Sequence, residues 1–373
     1  MRNRRRPPRL LVFPAWPNRY LTMLQRAPKD AGYEIMGARR KHLEEDGRKV
    51  GRGDVLHVHW TQRVAQIADS EAEAWAGVEE FTGFVTRLKK RGVRVIWTVH
   101  NLLPHELRYL EPELALSRFL AEAADSIHVM TVETPQVVEH LYRLPPERLR
   151  HIPHFSYLGE YDPMPSDRAR EGLGLAPDEP TVLFFGRLRS YKGLETLFSA
   201  LALLTESGRG VPTLLLAGKP EPAGAENHIK TMLPTASRVV THFSFVDEED
   251  IPTWFGAADV AVFPFTQILN SGSVHLAATL GVPVVLPDEP HLVTQFGQEP
   301  WVRFYDRDDG AAALADMLAG PDPADHAAAM AAFSERLAPQ RISQEYLELL
   351  DELSGDRGGF LRAVRGGWDR MRR

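Results

Sequence analysis

The segment Thr181–Gly193, TVLFFGRLRSYKG, leaves few choices of fold. Val182–Phe185 is an unbroken apolar run, the pattern of a parallel strand covered on both faces. Gly186 ends the run, Arg187 and Lys192 follow, and from Gly193 onward Leu194, Leu197, Leu201 and Leu204 share one face of a helix. Strand, glycine turn, cations and helix in that order put Arg187 and Lys192 at the carboxyl end of a sheet, where open α/β folds bind ligands. Arginine grips phosphate oxygens through a fork and lysine supplies a mobile point charge, so the pair suits a diphosphate. Taken alone, the segment also reads as a solvated basic loop, and its assignment needs a second witness.

Ile268–Pro287, ILNSGSVHLAATLGVPVVLP, is that witness. Asn270, Ser271, Gly272 and Ser273 precede the helical run 274–280, Gly281 stops it, and 282–286 is another buried strand. Unsatisfied N–H groups and the positive end of the helix dipole make such a start an anion site. By itself it is equally an ordinary Ser/Asn N-cap.

Together the two segments resemble the donor-binding domain of GT-B glycosyltransferases, particularly the family 4 group and its bacterial relatives, in which a GR-x4-KG turn and a glycine-containing loop before a helix hold the nucleotide-sugar diphosphate. The resemblance implies an α/β chain of two Rossmann-like domains with parallel sheets facing a cleft and C-terminal helices crossing back. It implies donor binding by Arg187, Lys192, Gly218, Lys219, Asn270, Ser271, Gly272 and Ser273. Many members carry two glutamates before a G-x-P-V-V strand; Ile268 and Leu276 stand at those positions here, a departure shared with bacterial sugar transferases that have NSGS-like loops. Those relatives include enzymes using GDP-mannose, so the expected donor is GDP- or UDP-linked with mannosyl favoured. No cofactor is expected beside this substrate.

At 373 residues the chain exceeds one typical domain. Strands alternating with helices read as βαβ units throughout. The expected divisions are an acceptor-side domain over 1–160, a nucleotide-sugar domain over 161–340, and a helix with a basic tail over 341–373. The linker falls in 155–179, rich in Pro, Gly, Asp and Glu.

In the first domain a strand over 9–16 ends in PAWPNRY, which makes Trp16, Asn18, Arg19 and Tyr20 acceptor candidates; a capped turn explains them equally well. His57 and His59 fall on one face of the strand 54–60, and with no third ligand nearby they read as packed or hydrogen-bonded side chains, not a metal site. The strand 93–100 ends in VIWTVH, similar to the family's T-x-H turn, where the histidine reaches the donor sugar. His100 matches that position, and a polar-partnered core histidine is its alternative reading. If configuration inverts at the sugar, a general base is needed, and Glu106 is the nearest carboxylate in sequence. A helix over 117–124 precedes the next strand.

The absence of cysteine excludes disulfides, thiolate metal sites and cysteine nucleophiles. The acidic run Asp247–Asp250 reads as helix capping, and no Asp-x-Asp stands at a strand end, so catalysis without a metal is expected. No apolar stretch approaches the roughly 18 residues of a membrane span. A cytoplasmic protein is expected, held at the inner face of the membrane if its arginine-rich ends meet anionic lipid; 360–371 places Phe360, Leu361, Val364, Trp368 and Met371 on one helical arc. The expected partners are a nucleotide sugar, a glycan or glycolipid acceptor and an anionic membrane, with no nucleic acid. A nucleotide-sugar isomerase on the same fold and a non-catalytic nucleotide-sugar-binding subunit are the competing functions.

Overall fold

The computed structural model describes residues 6–222, 224–235, 237–320 and 325–355. The arginine-rich start over 1–5 and the amphipathic tail over 356–373 lie outside them. The chain divides into two units between His154 and Phe155, and at Pro339 it rejoins the first.

The first unit holds β1 (Arg9–Phe13), β2 (Glu34–Gly37), β3 (Val55–Val58), β4 (Arg94–Thr98), β5 (Ser126–Val129) and β6 (Leu149–His151), all parallel, in the order β2-β1-β3-β4-β5-β6. β1 is shorter than its apolar pattern suggests because Pro14 cannot donate to the ladder. The helix Glu71–Lys90 starts where Ser70 Oγ accepts from Glu73 N at 3.2 Å, and it buries Ala74, Val78, Phe81, Val85 and Leu88 at helical spacing. The next helix runs Leu110–Ala123, well before the expected start at Ser117, because Pro112 sits in its first turn, where a missing N–H costs nothing.

The returning helix, Pro339–Ser354, belongs to this unit by its side chains. Ile342, Tyr346, Leu347 and Leu350 are buried, Ser343 Oγ donates to Leu24 O at 2.8 Å, and Tyr33 donates to Asp351 Oδ1 at 2.8 Å.

The second unit holds β7 (Thr181–Phe185), β8 (Thr213–Ala217), β9 (Val239–His242), β10 (Val260–Val262), β11 (Val284–Pro287) and β12 (Val302–Tyr305), parallel and in the order β12-β11-β10-β7-β8-β9. Alternate residues of β7 face opposite sides: Leu183 and Phe185 join one apolar cluster, Val182 and Phe184 the other. That two-sided burial is why the strand reads as an unbroken apolar run. β12 and the helices Ala225–Met232 and Pro290–Phe296 were not legible in the sequence.

Each sheet has one place where successive connections run in opposite directions, between β1 and β3 in the first and between β7 and β10 in the second. Loops leaving the carboxyl ends of such a pair splay apart and open a crevice. In the first unit these loops carry Trp16 and Trp60; in the second they carry Gly186–Lys192 and 263–272.

Candidate functional site

In the second unit, Gly186 leaves β7 with φ +118°, and a Cβ there would lie 3.6 Å from both Lys192 Nζ and Ser273 Oγ. The turn, the amine and the hydroxyl of Ser273 therefore converge on one point. Lys192 is buried, its ammonium 4.9 Å from the Phe265 ring centroid. Burial, followed by repulsion from Arg189, lowers its pKa to about 8. No carboxylate pairs with it among the described residues. A buried cation without a counter-ion is costly unless a ligand supplies the charge.

Ser273 lies in the helix Gly272–Thr279, whose N-cap Ser271 makes no side-chain capping bond, leaving its first N–H groups to be satisfied from outside the helix. Asn270 and Ser271 lead into it. Arg187 lies at the rim, 60 % exposed, and donates to Glu221 Oε1 at 3.0 Å. Glu221 also holds Arg189, and the two arginines keep its carboxyl below the usual range against the opposing effect of burial. The Arg187–Glu221 pair is open to solvent on the Arg187 side, and a solvent-facing pair of this kind contributes little to stability. Lys219 is exposed, and its carbonyl accepts from Leu188 N at 2.9 Å.

Two glycines are fixed by close approach. A Cβ on Gly193, the N-cap of the helix Leu194–Glu206, would stand 1.8 Å from Pro264 O, and one on Gly218 would stand 1.8 Å from Gly186 O. Gly218 has φ +152°, so alanine there is strained as well as blocked. Gly218→Ala is expected to cost about 1–3 kcal/mol from the backbone alone and to displace Gly186. An unchanged Tm and unchanged nucleotide affinity would show that the turn is not rigid.

The positions matching the family's glutamates are apolar here and pack into the core. Leu276 is buried and Ile268 packs against the same cluster, on one side of the sheet. Asp250 occupies the N-cap of the helix Ile251–Gly256 but makes no side-chain capping bond, which corrects the capping role expected for that residue.

In the first unit, the crevice residues form an aromatic and imidazole cluster. Trp16 stacks on Trp60 at 5.4 Å, with the Arg63 guanidinium 4.8 Å above Trp16. Asn18 caps the helix Arg19–Leu24 through Leu21 N at 3.3 Å, the structural alternative foreseen for it. Tyr20 meets the rings of His59, His100 and His154. His100, just past β4, stacks on Trp60 at 4.3 Å, and its Nε2 lies 3.0 Å from His59 Nδ1.

Behind them runs a hydrogen-bond chain whose direction is fixed. His128 Nε2 must donate to Ile152 O at 2.8 Å, because a carbonyl only accepts. With His128 neutral, its Nδ1 accepts from Thr98 Oγ1 at 3.0 Å, and that hydroxyl accepts from His57 Nε2 at 2.7 Å. His57 Nδ1 then accepts from Tyr346 at 2.6 Å. His57 and His59 are thus buried side chains of a packed cluster, their ring centroids 3.8 Å apart. Burial, and then repulsion from neighbouring imidazoles, holds His57, His59 and His100 well below 6.5. Among the described residues no group of His, Cys, Asp and Glu could hold a metal ion.

Glu106 is exposed in the loop after His100. A carboxylate that shares a cavity with the histidines is Glu113, missed in the sequence because it lies on the following helix. It lines a cavity of about 30 Å³ together with His59, His100, Thr98 and Tyr142. Thr61 and Gln66 donate to it, Gln66 Nε2 at 2.8 Å, while burial pushes its pKa up.

Residues 179–320 match the model of the family described as Glycosyl transferases group 1. A GDP-mannose:glycolipid 4-beta-D-mannosyltransferase of Xanthomonas campestris pv. campestris is 26% identical over 81% of this chain and 79% of its own length. Anabaena HepE, crystallised with UDP and glucose, superposes with a TM-score of 0.67 at 17% identity, covering 92% of this chain and 99% of that one. The chain is a glycosyltransferase of the GT-B fold. A D-inositol 3-phosphate glycosyltransferase of Nocardia farcinica is also similar, 28% identical over 85% of this chain and 71% of its own. The sucrose-phosphate synthase of Thermosynechococcus elongatus shares the fold at a TM-score of 0.63 and 18% identity, over 97% of this glycosyltransferase and 100% of that chain. No helix among the described residues is long and apolar enough to cross a membrane.

Proposed function

We propose that the glycosyltransferase moves a mannosyl group from GDP-mannose to a hydroxyl of a glycan or lipid-linked acceptor without a metal ion. The observation that carries this reading is Lys192, a buried ammonium with no acid partner among the described residues, set against Gly186 and Ser273 Oγ at the crevice of a group 1 domain. With Arg187 and the amides of Ser271–Ser273 it neutralises the diphosphate as the sugar leaves, the electrostatic work that a bound cation does elsewhere. His100 acts on the donor sugar, and Trp16, Arg19 and Tyr20 on the acceptor. Mannose and a lipid-linked acceptor are favoured by the Xanthomonas relative, which spans most of the chain. The reading places the enzyme in the cytoplasm, beside the membrane that carries a lipid-linked acceptor.

Transfer of labelled sugar from GDP-mannose, UDP-glucose and other donors into bacterial lipid extract, with and without EDTA, tests the proposal. Incorporation from GDP-mannose that survives chelation is expected. Incorporation only from a UDP-sugar reassigns the donor, and activity lost to EDTA and restored by manganese overturns the metal-free mechanism. Donor binding with neither transfer nor hydrolysis leaves a non-catalytic subunit.

A further inference from the structure

We infer that His59 is a positioning residue that fixes the tautomer of His100, so that His100 meets its substrate as an Nδ1–H donor and not as a base. The argument rests on the reading that His100 acts on the donor sugar. Its premises are geometric. His59 Nδ1 and His100 Nε2 lie 3.0 Å apart, so one of the two carries the shared proton. His59 Nε2 is buried and has no hydrogen-bond partner among the described residues. That orphan atom decides between the two arrangements.

If His100 donated to His59, a neutral His59 would carry its own proton on Nε2, leaving a buried N–H with nothing to receive it. If His59 donates, Nε2 is a bare lone pair. Orphaned buried N–H groups are rare, so the second arrangement is favoured. His59 Nδ1–H then points at His100 Nε2, and the single proton of neutral His100 sits on Nδ1. Burial keeps both rings neutral, which removes the doubly protonated alternative.

The ring planes are held as well as the protons. His100 lies against Trp60 with 17° between planes, and His59 lies 3.8 Å from His57. His57 is itself oriented by Thr98 and Tyr346. Rotation of His59 about its side chain is therefore resisted on one side by a ring whose hydrogen bonds are both taken. A histidine oriented as an Nδ1–H donor can hold a sugar hydroxyl or support an oxygen that gains negative charge; it has no lone pair there with which to take a proton.

The test pairs spectroscopy with kinetics on the full chain. Long-range proton–nitrogen spectra of imidazole-labelled enzyme should show His100 protonated on Nδ1 and unprotonated on Nε2; the opposite pattern overturns the inference whatever the activity. His59→Phe, which keeps a ring in the stack but removes the donor, is expected to lower kcat at least tenfold and leave the dissociation constant for GDP within twofold. His59→Asn, whose amide nitrogen stands where Nδ1 stood, should recover most of that loss and restore the His100 pattern. If both variants lose kcat equally, with Tm unchanged, the hydrogen bond is not what matters and the inference fails. If His100→Ala leaves kcat unchanged, the reading of His100 fails instead, and the tautomer measurement still stands by itself.

Discussion

Lys192→Met weakens nucleoside diphosphate binding and at the same time stabilises the empty protein. A hydrogen bond to a charged group is worth about 1.5–3 kcal/mol, so the loss of affinity for GDP should be roughly ten- to hundred-fold. The stability change has the opposite sign for a definite reason. Unfolded lysine titrates at 10.5 and the folded side chain at about 8, so the unfolded chain holds the proton more tightly. At pH 7 the full cost of that difference is present, on the order of 3 kcal/mol at 1.36 kcal/mol per unit, and stability recovers only as pH rises from 8 toward 10.5. Methionine fills the space beside Phe265 without the charge. Affinity in the parent should also fall about tenfold per pH unit above 8, as the ammonium is lost, and stay flat in the variant. Calorimetric titration with GDP between pH 7 and 10, with Tm for each protein, checks both halves; parent-like affinity in Lys192→Met would place the diphosphate elsewhere.

The second unit was more legible in sequence than the first because its function is written in short-range order. From β7 the chain reaches Gly186, Arg187 and Lys192 within a few residues, and the helix Gly272–Thr279 follows directly on Asn270 and Ser271, so adjacency in sequence is adjacency in space. The histidine cluster offers no such run. His57 and His59 lie on β3, Thr98 and His100 at the end of β4, His128 on β5, and Tyr346 on a helix nearly three hundred positions away from its partner. Parallel strands pair through crossovers, and only the strand order brings these residues to one place. Glu113 was hidden for the same reason, by a helix that begins earlier than its apolar pattern suggests. Glu221, which joins Arg187 to Arg189, follows β8, and nothing in its surrounding residues marks it as their partner.

Acidification from pH 7 to pH 5 should destabilise the protein by several kcal/mol. His57, His59 and His128 are buried and His100 half-buried, and all four are neutral, desolvation being the largest cause of each depressed pKa. Unfolded histidine takes up a proton near 6.5, whereas folded His128 does so only at about 4. The unfolded state therefore binds more protons between those values, and stability that is complete above 6.5 is lost as pH falls through the window. At pH 5 the gap is 1.5 units on the unfolded side, about 2 kcal/mol for His128 alone. The other three act in the same direction. Glu113, its pKa raised by burial, opposes them, but it is one group against four. Asp46, held at about 2, keeps its full contribution throughout the window and loses it only as pH falls below 3.8. Protonation is also structurally disruptive here, since in a charged His57 or His128 the nitrogen that accepts from a hydroxyl becomes a second donor facing that hydroxyl's own proton. Urea midpoints at pH 7 and pH 5 measure the loss. His128→Gln keeps a donor for the Ile152 carbonyl without the titrating ring, so it should flatten the slope by about the share calculated for His128. Equal midpoints at the two pH values would mean that the imidazoles protonate in place, and that the one-directional chain from Tyr346 to Ile152 is not what holds the first sheet to its returning helix.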